Sequence, residues 1–259
     1  MAGKYSDINS LIDGYHKSLV DIDAYMRKIH ESFHRGSPMS KISSEHCIVE
    51  LGQKTQTFLD AWIIISIQCS PAKLKEKLTS AETTVKLGQK GKAKASSVPL
   101  AAFNITNTPI PKSKLVQILG DENGQLGCHY EKYFLSYSLL LADSDRYPAS
   151  AKASQLKRNG FFHFMSLCNA LRNHVAHRSD GSAETLNEIV RVNKFIGTPD
   201  VFQRKSKVSN DTGNYTDARV PDPTANASTF GDFEETRLGA LMFQLDRKIA
   251  TLKYEHSGA

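Results

Sequence analysis

Residues 160–179 read GFFHFMSLCNALRNHVAHRS, the most apolar stretch of the chain. Phe161, Phe164, Met165, Cys168, Leu171 and Val175 fall mostly three and four residues apart, the period of a helix with one buried face. Such a face is stable in water only when other helices cover it. The rest of the sequence supplies them. Upstream, residues 5–34 carry Ile8, Leu11, Ile12, Tyr15, Leu19, Ile22, Met26, Ile29 and Phe33, which predict a long amphipathic helix stopped by Gly36 and Pro38. A second helix is expected from Ser43-Ser44-Glu45, which offer a cap and a first-turn acid, through Ile48, Leu51, Thr55, Phe58, Trp62 and Ile65 to Pro71. Two helices joined by a short Gly, Ser and Pro loop read as an antiparallel hairpin.

Further helices follow. KSKLVQIL predicts a short one before GDENG, and LKEKL another; Tyr130, Tyr133, Phe134, Tyr137, Leu140 and Leu141 mark the next. Downstream of the central stretch, a helix is expected over about Glu184 to Ile196. A last one carries Phe233, Leu238, Leu241, Leu245, Ile249 and Leu252. Residues 198–231, with NDTGNY and PDPT, read as a long loop or small hairpin. Residues 72–127 hold too few large apolar side chains for their own core and read as a basic, loop-rich insertion. The expected fold class is all-α: one domain over 1–259, an antiparallel helical bundle with that insertion and a second long loop before the C-terminal helix.

Composition limits the function classes. At 259 residues, 40% hydrophobic and 23% charged, the chain can bury a sizeable core. Its longest apolar run, Ala61–Ile65 inside FLDAWIIISIQC, is far short of the roughly 20 residues that span a bilayer. The N-terminus lacks the apolar core of a signal peptide. Cys47, Cys69, Cys128 and Cys168 form no C-x-x-C pair, which argues against a zinc ribbon or disulfide scaffold and fits a reducing compartment. A cytoplasmic protein without a membrane partner is expected. The net charge of +6 is uneven: Lys73 to Lys114 holds nine lysines against Glu76 and Glu82. That excess suits RNA through phosphate contacts, with Lys86, Lys90, Lys92 and Lys94 as candidate RNA-binding residues, or it is simply a solvated loop. No aromatic residue interleaves Lys73 to Lys94, so no base-stacking platform is expected there.

Two short motifs could carry chemistry. His30-Glu31-Ser32-Phe33-His34 satisfies H-E-x-x-H, which on a helix puts two imidazoles on one face to hold zinc with the glutamate as general base. The extended H-x-x-G-x-x-H spacing fails, and Ile29 and Phe33 assign the core face, so His30 and His34 read as ordinary polar residues flanking it. No cofactor or metal is expected. The second motif is Arg172-Asn173-His174-Val175-Ala176-His177, an R-N-x-x-x-H at the end of the strongly apolar helix. Arg27 to His34, an R-x(6)-H with Lys28 after the arginine, has a similar spacing but does not close a strongly apolar helix.

An R-x(4–6)-H element with a polar residue after the arginine, closing a helix in an all-α bundle, resembles the HEPN (higher eukaryotes and prokaryotes nucleotide-binding) family. The resemblance covers one helix closely and the surrounding bundle loosely. It implies a metal-independent endoribonuclease, typically a homodimer whose two elements meet at one composite site, and often a defence or toxin effector controlled by a protein partner such as an antitoxin. Arg172, Asn173 and His177 would be catalytic, with His174 and Arg178 binding the RNA backbone. Some toxins of this family carry a tyrosine two residues after the histidine; Ser179 stands there, which argues against control by modification at that position.

The chemistry fits those residue types. Metal-free RNA cleavage needs a base for the ribose 2′-OH, an acid for the leaving 5′-oxygen and a fixed cation beside the phosphorane. Histidine titrates near neutrality, while arginine stays charged and forks onto phosphate oxygens. On a continuous helix, residues five apart lie about 140° apart. Convergence of Arg172 and His177 therefore requires either a helix ending near Ala176 or a second chain. The alternative class is a non-catalytic helical module that binds nucleic acid or a protein.

Overall fold

Ser37 and Pro38 begin a helix as well as ending the one before. The Ser37 hydroxyl accepts the backbone N–H of Ser40 at 3.2 Å, and proline fits the first helical position because its missing N–H would have no partner there. The second helix therefore starts at Pro38, a full turn before the Ser43-Ser44-Glu45 cap expected from sequence. The computed structural model describes residues 2–79, 110–192, 195, 199–220, 230 and 232–255. These are mostly helical: α1 (Ala2–Ser32), α2 (Pro38–Cys69), α3 (Ala72–Thr79), α4 (Lys112–Leu119), α5 (Glu131–Ser138), α6 (Ala149–Arg158), α7 (Phe161–His177), α8 (Asp180–Val192), α9 (Pro199–Phe202), α10 (Thr212–Asp217) and α11 (Arg237–Ala250). A two-residue ribbon, β1 (Asp143–Ser144) with β2 (Tyr147–Pro148), is antiparallel and pairs Asp143 with Pro148. The fold class is all-α. No helix among the described residues is long and apolar enough to cross a membrane.

The chain divides into two compact units: Met1–Leu11 with Gln56–Gln155 and Leu252–Ala259, and Ile12–Thr55 with Leu156–Thr251. The first unit is organised around Trp62. Its indole N–H donates to the Tyr147 hydroxyl at 3.0 Å, which donates to the Leu252 carbonyl at 2.6 Å. The Trp62 ring stacks on Phe134 with centroids 5.9 Å apart. Asp60 accepts the N–H groups of Leu126 and Cys128 at 3.0 Å each, tying α2 to the loop before α5. The tail folds back onto α1: Asn9 exchanges two hydrogen bonds with the backbone of Tyr254, whose ring stacks on Tyr5.

In the second unit, α1 and α2 are antiparallel neighbours. Tyr15 meets Thr55, Tyr25 meets Ser43 and His30 meets Ser40, so the paired positions converge steadily toward the turn. Against them lies α7, whose Phe161, Phe164, Met165, Leu167, Cys168 and Leu171 are all buried. Each such side chain contributes about 1.5–3 kcal/mol on leaving water. α8 and α11 pack on α7. Phe164 joins Phe195 and Phe202 in an aromatic cluster with centroids 5.3–5.7 Å apart. The α11 start is close-packed: a Cβ on Gly239 would come within 2.0 Å of the Glu234 carbonyl.

The structure corrects several sequence expectations. α6, in ASAKASQLKR, and the β1–β2 ribbon were not expected. α8 begins at Asp180 and ends at Val192, earlier than the predicted span. The expected loop over 198–231 includes α9 and α10, α10 being capped by Asp211, which accepts the Asn214 N–H. Within the basic insertion, α3 and α4 are helices as predicted, and residues 80–109 lie outside the described residues. Cys47, Cys128 and Cys168 are buried free thiols and Cys69 is half-buried.

Candidate functional site

The helix carrying the R-N-x-x-x-H motif does not stop at Ala176. α7 runs through His177, and Arg178 then turns the chain with φ 49°, its N–H bonded to the His174 carbonyl. That single bond is the left-handed helix ending, a position that usually takes glycine because a Cβ is strained there. On an unbroken helix Arg172 and His177 lie about 140° apart and ~7.5 Å apart along the axis. One chain therefore directs them to different sides.

Arg172 is half-buried, and its stem crosses Gly52 of α2: a Cβ on Gly52 would come 2.8 Å from Arg172 Cδ. Burial pushes the Cys168 thiol, one turn earlier, up to about 12, with the Arg172 cation opposing the shift. Asn173 is half-buried and His177 exposed. His174, expected to touch RNA, is instead buried at 5% exposure. Its Nδ1 faces the Ser182 hydroxyl at 3.1 Å and its Nε2 donates to the Ser209 carbonyl at 3.0 Å, so it fastens the loop before α10 to the start of α8. Arg178 pairs with Glu45 at 2.5 Å and keeps half of its side chain exposed. Lys86, Lys90, Lys92 and Lys94 lie outside the described residues.

The histidines of the H-E-x-x-H motif part company. α1 ends at Ser32, so His34 is exposed beyond it, and Phe33 is also exposed. His30, expected at the edge of the core, has a side chain only 7% exposed. Its Nδ1 meets Glu234 at 2.9 Å and its Nε2 meets Asp217 at 2.5 Å. Both ring nitrogens face carboxylate oxygens, so the ring bridges the two acids. Arg35 also bonds Glu234, while Asp217 accepts from Ser40 and the Gly36 N–H. His30 and Arg35 thus join two carboxylates in one closed cluster.

Ser40 Oγ lies 3.2 Å from His30 Nε2, with Glu234 on Nδ1, the order of a nucleophile, base and orienting acid. Ser40 is fully buried, however, and its hydroxyl donates to Asp217, so no substrate carbonyl can approach it. Among the described residues no group of three His, Cys, Asp or Glu is arranged to hold a metal ion. This cluster is a structural staple. Its partners sit some two hundred positions apart in sequence, and no local signal joins them.

A cleft of about 760 Å³ opens along α8. Asp180, Ala183, Glu184, Asn187, Glu188 and Arg191 line one side, a stripe at steps of three and four, and Lys205, Ser206, Lys207, Ser209 and Asn210 line the other. Asn187 fixes the far segment by accepting the Val208 and Ser209 N–H groups and donating to the Ser209 hydroxyl. The segment runs antiparallel to α8, since the Arg204 N–H bonds the Val190 carbonyl and the Val208 N–H bonds Asn187. Sequence reasoning missed this cleft, although the acids at 180, 184 and 188 were legible as one helical stripe. Comparison with protein-family models, curated proteins and solved structures gives no match.

Proposed function

We propose that the protein is a metal-independent endoribonuclease of HEPN type, working as a homodimer in which Arg172 and His177 of two chains face one cleft. The observation that carries the reading is the R-N-x-x-x-H motif ending a buried helix, with His177 exposed as its last residue. His177 supplies the titratable group, serving as base in one chain and acid in the other. Arg172 meets the charge that builds on the phosphorane. Asn173 orients a phosphate or the partner's histidine. The 140° divergence within one chain is the reason two copies are required, and an isologous two-fold contact brings two helix ends together.

Labelled RNA incubated in EDTA should give 2′,3′-cyclic phosphate and 5′-hydroxyl ends. His177→Ala should lower the rate at least ~10²-fold, the usual worth of a positioned acid or base, while His34→Ala should leave it unchanged. Mixing inactive Arg172→Ala and His177→Ala chains should restore part of the activity if subunits exchange. Equal cleavage by His177→Ala would end the proposal. The second reading, a non-catalytic module binding nucleic acid or protein, is favoured by the same divergence and by the structural use of His174. It predicts RNA retention without cleavage. Defence or toxin activity under a protein partner belongs to the proposal through the family resemblance alone.

A further inference from the structure

The α8 cleft carries two facing rows of opposite charge. Asp180, Glu184 and Glu188 stand one turn apart on α8, and Lys205 and Lys207 stand across from its C-terminal half, with Arg191 at that end. None of these six side chains makes an ion pair or side-chain hydrogen bond among the described residues. Opposite charges that share a cleft yet remain apart leave both rows available to a ligand with acceptors on one edge and donors on the other. Single-stranded RNA has that form. Its phosphates run along one edge, and its splayed bases present amino groups along the other. A duplex does not fit a cleft of about 760 Å³, the size of a small-molecule site.

We infer that this cleft binds single-stranded RNA, with Arg191, Lys205 and Lys207 on its phosphates and Glu184 and Glu188 accepting from the exocyclic amino groups of its bases. The inference rests on RNA being the ligand, as in the proposed function. The carboxylates repel phosphate, which forces the strand's orientation: backbone against the 205–207 segment and Arg191 at the end of α8, bases against Glu184 and Glu188. It also sets a preference. Cytosine offers an N4 amino group to a carboxylate, whereas uracil presents a carbonyl oxygen there and is repelled. The cleft opens at Asp180, beside the His177 end of α7, and extends ~16 Å along α8 to Arg191. A strand lying in it therefore leads toward His177. Aromatic stacking plays no part, because the lining holds no aromatic side chain.

The test measures binding of hexacytidylate and hexauridylate to the full chain carrying His177→Ala, in EDTA, across a salt series. Cytidylate should bind at least about tenfold more tightly, the discrimination of one good contact. Glu184→Gln with Glu188→Gln should shift preference toward uridylate, since a glutamine amide donates to the uracil carbonyl. Lys205→Ala with Lys207→Ala should weaken both oligomers alike and lower the salt slope by about 1.4. These residues line an open surface cleft, so the variants should keep the far-ultraviolet spectrum of the full chain. Equal binding of the two oligomers, or an unchanged preference in the glutamine variant, would overturn the inference. Cleavage by the unmutated chain is scored separately: preference without cleavage upholds the cleft and ends the nuclease reading, and cleavage without preference does the reverse.

Discussion

Two partly buried acidic sites solve the same electrostatic problem in different ways. In the first unit Asp60 is met by neutral donors of one loop: the Leu126 and Cys128 N–H groups converge on its two oxygens, and the Cys128 thiol joins them. Burial raises its pKa, and those N–H groups pull in the opposite direction without cancelling the effect. In the second unit Asp217 and Glu234 are met by basic side chains from elsewhere in the chain, His30 between them and Arg35 beyond. A single loop can hold a carboxylate with its own neutral donors. A charge cluster instead needs several distant segments in register, so it reports on tertiary structure as a whole. Removing a partner from it leaves an uncompensated buried charge, whereas removing Asp60 leaves only unpaired dipoles.

The largest effect should therefore come from His30→Ala. Stranding Asp217 and Glu234 should destabilise the second unit by about 3–5 kcal/mol and lower its melting temperature by on the order of 10 °C in calorimetry. A loss under about 1 kcal/mol would mean that water replaces the imidazole and that the contrast is false. A double-mutant cycle between His30 and Glu234 should give a coupling above about 1 kcal/mol.

Asp60→Ala comes next. It should cost about 2 kcal/mol, from two N–H groups without acceptors, seen in urea denaturation. The acidity of Asp60 sharpens the comparison through its sign. Its folded pKa is raised, so between about 3.9, the unfolded value, and that raised value the native state binds more protons. Its contribution is greatest at low pH and is lost as pH rises through the folded pKa. Asp211, on the second unit's surface, goes the other way. Burial opposes it, but the Lys41 ammonium and the Asn214 N–H hold its pKa below the usual range, so its contribution is lost as pH falls. Asp60→Asn should flatten the first response and leave the second.

The smallest effect concerns the α7 terminus. Arg178→Gly should stabilise the chain by up to about 1 kcal/mol by relieving the left-handed strain at φ 49°, less whatever the Glu45 pair contributes. A loss of stability would show that the ion pair outweighs the backbone.

What the sequence disclosed divides along the same line. The long helices were readable because their apolar positions repeat locally, Ile8 to Met26 and Phe161 to Leu171 above all. Their starts were less readable, since Pro38 is a stop signal and a first helical residue at once, and only the Ser37 cap decides. α6 was missed because its alanines and serines carry little periodic contrast. At the candidate site, the position of Arg172 and His177 on one helix was legible, but the continuation of α7 through His177 was not. His174 and His30 look alike as surface-ready residues in a string. Their burial depends on Ser182, Ser209, Asp217 and Glu234, which lie elsewhere in the chain.

The buried thiols turn the two units into separately addressable clocks. Cys128 belongs to the first unit and Cys47 and Cys168 to the second, each at most 1% exposed. Burial drives the pKa of all three well up, so in the native state they are both shielded and poor nucleophiles. Alkylation by a small reagent then waits for local opening, and the order in which the masses appear gives the order in which the units breathe. Half-buried Cys69 reacts first and marks time zero. Under this pulse labelling His30→Ala should hasten Cys47 and Cys168 while Cys128 keeps its pace, and Asp60→Ala should do the opposite.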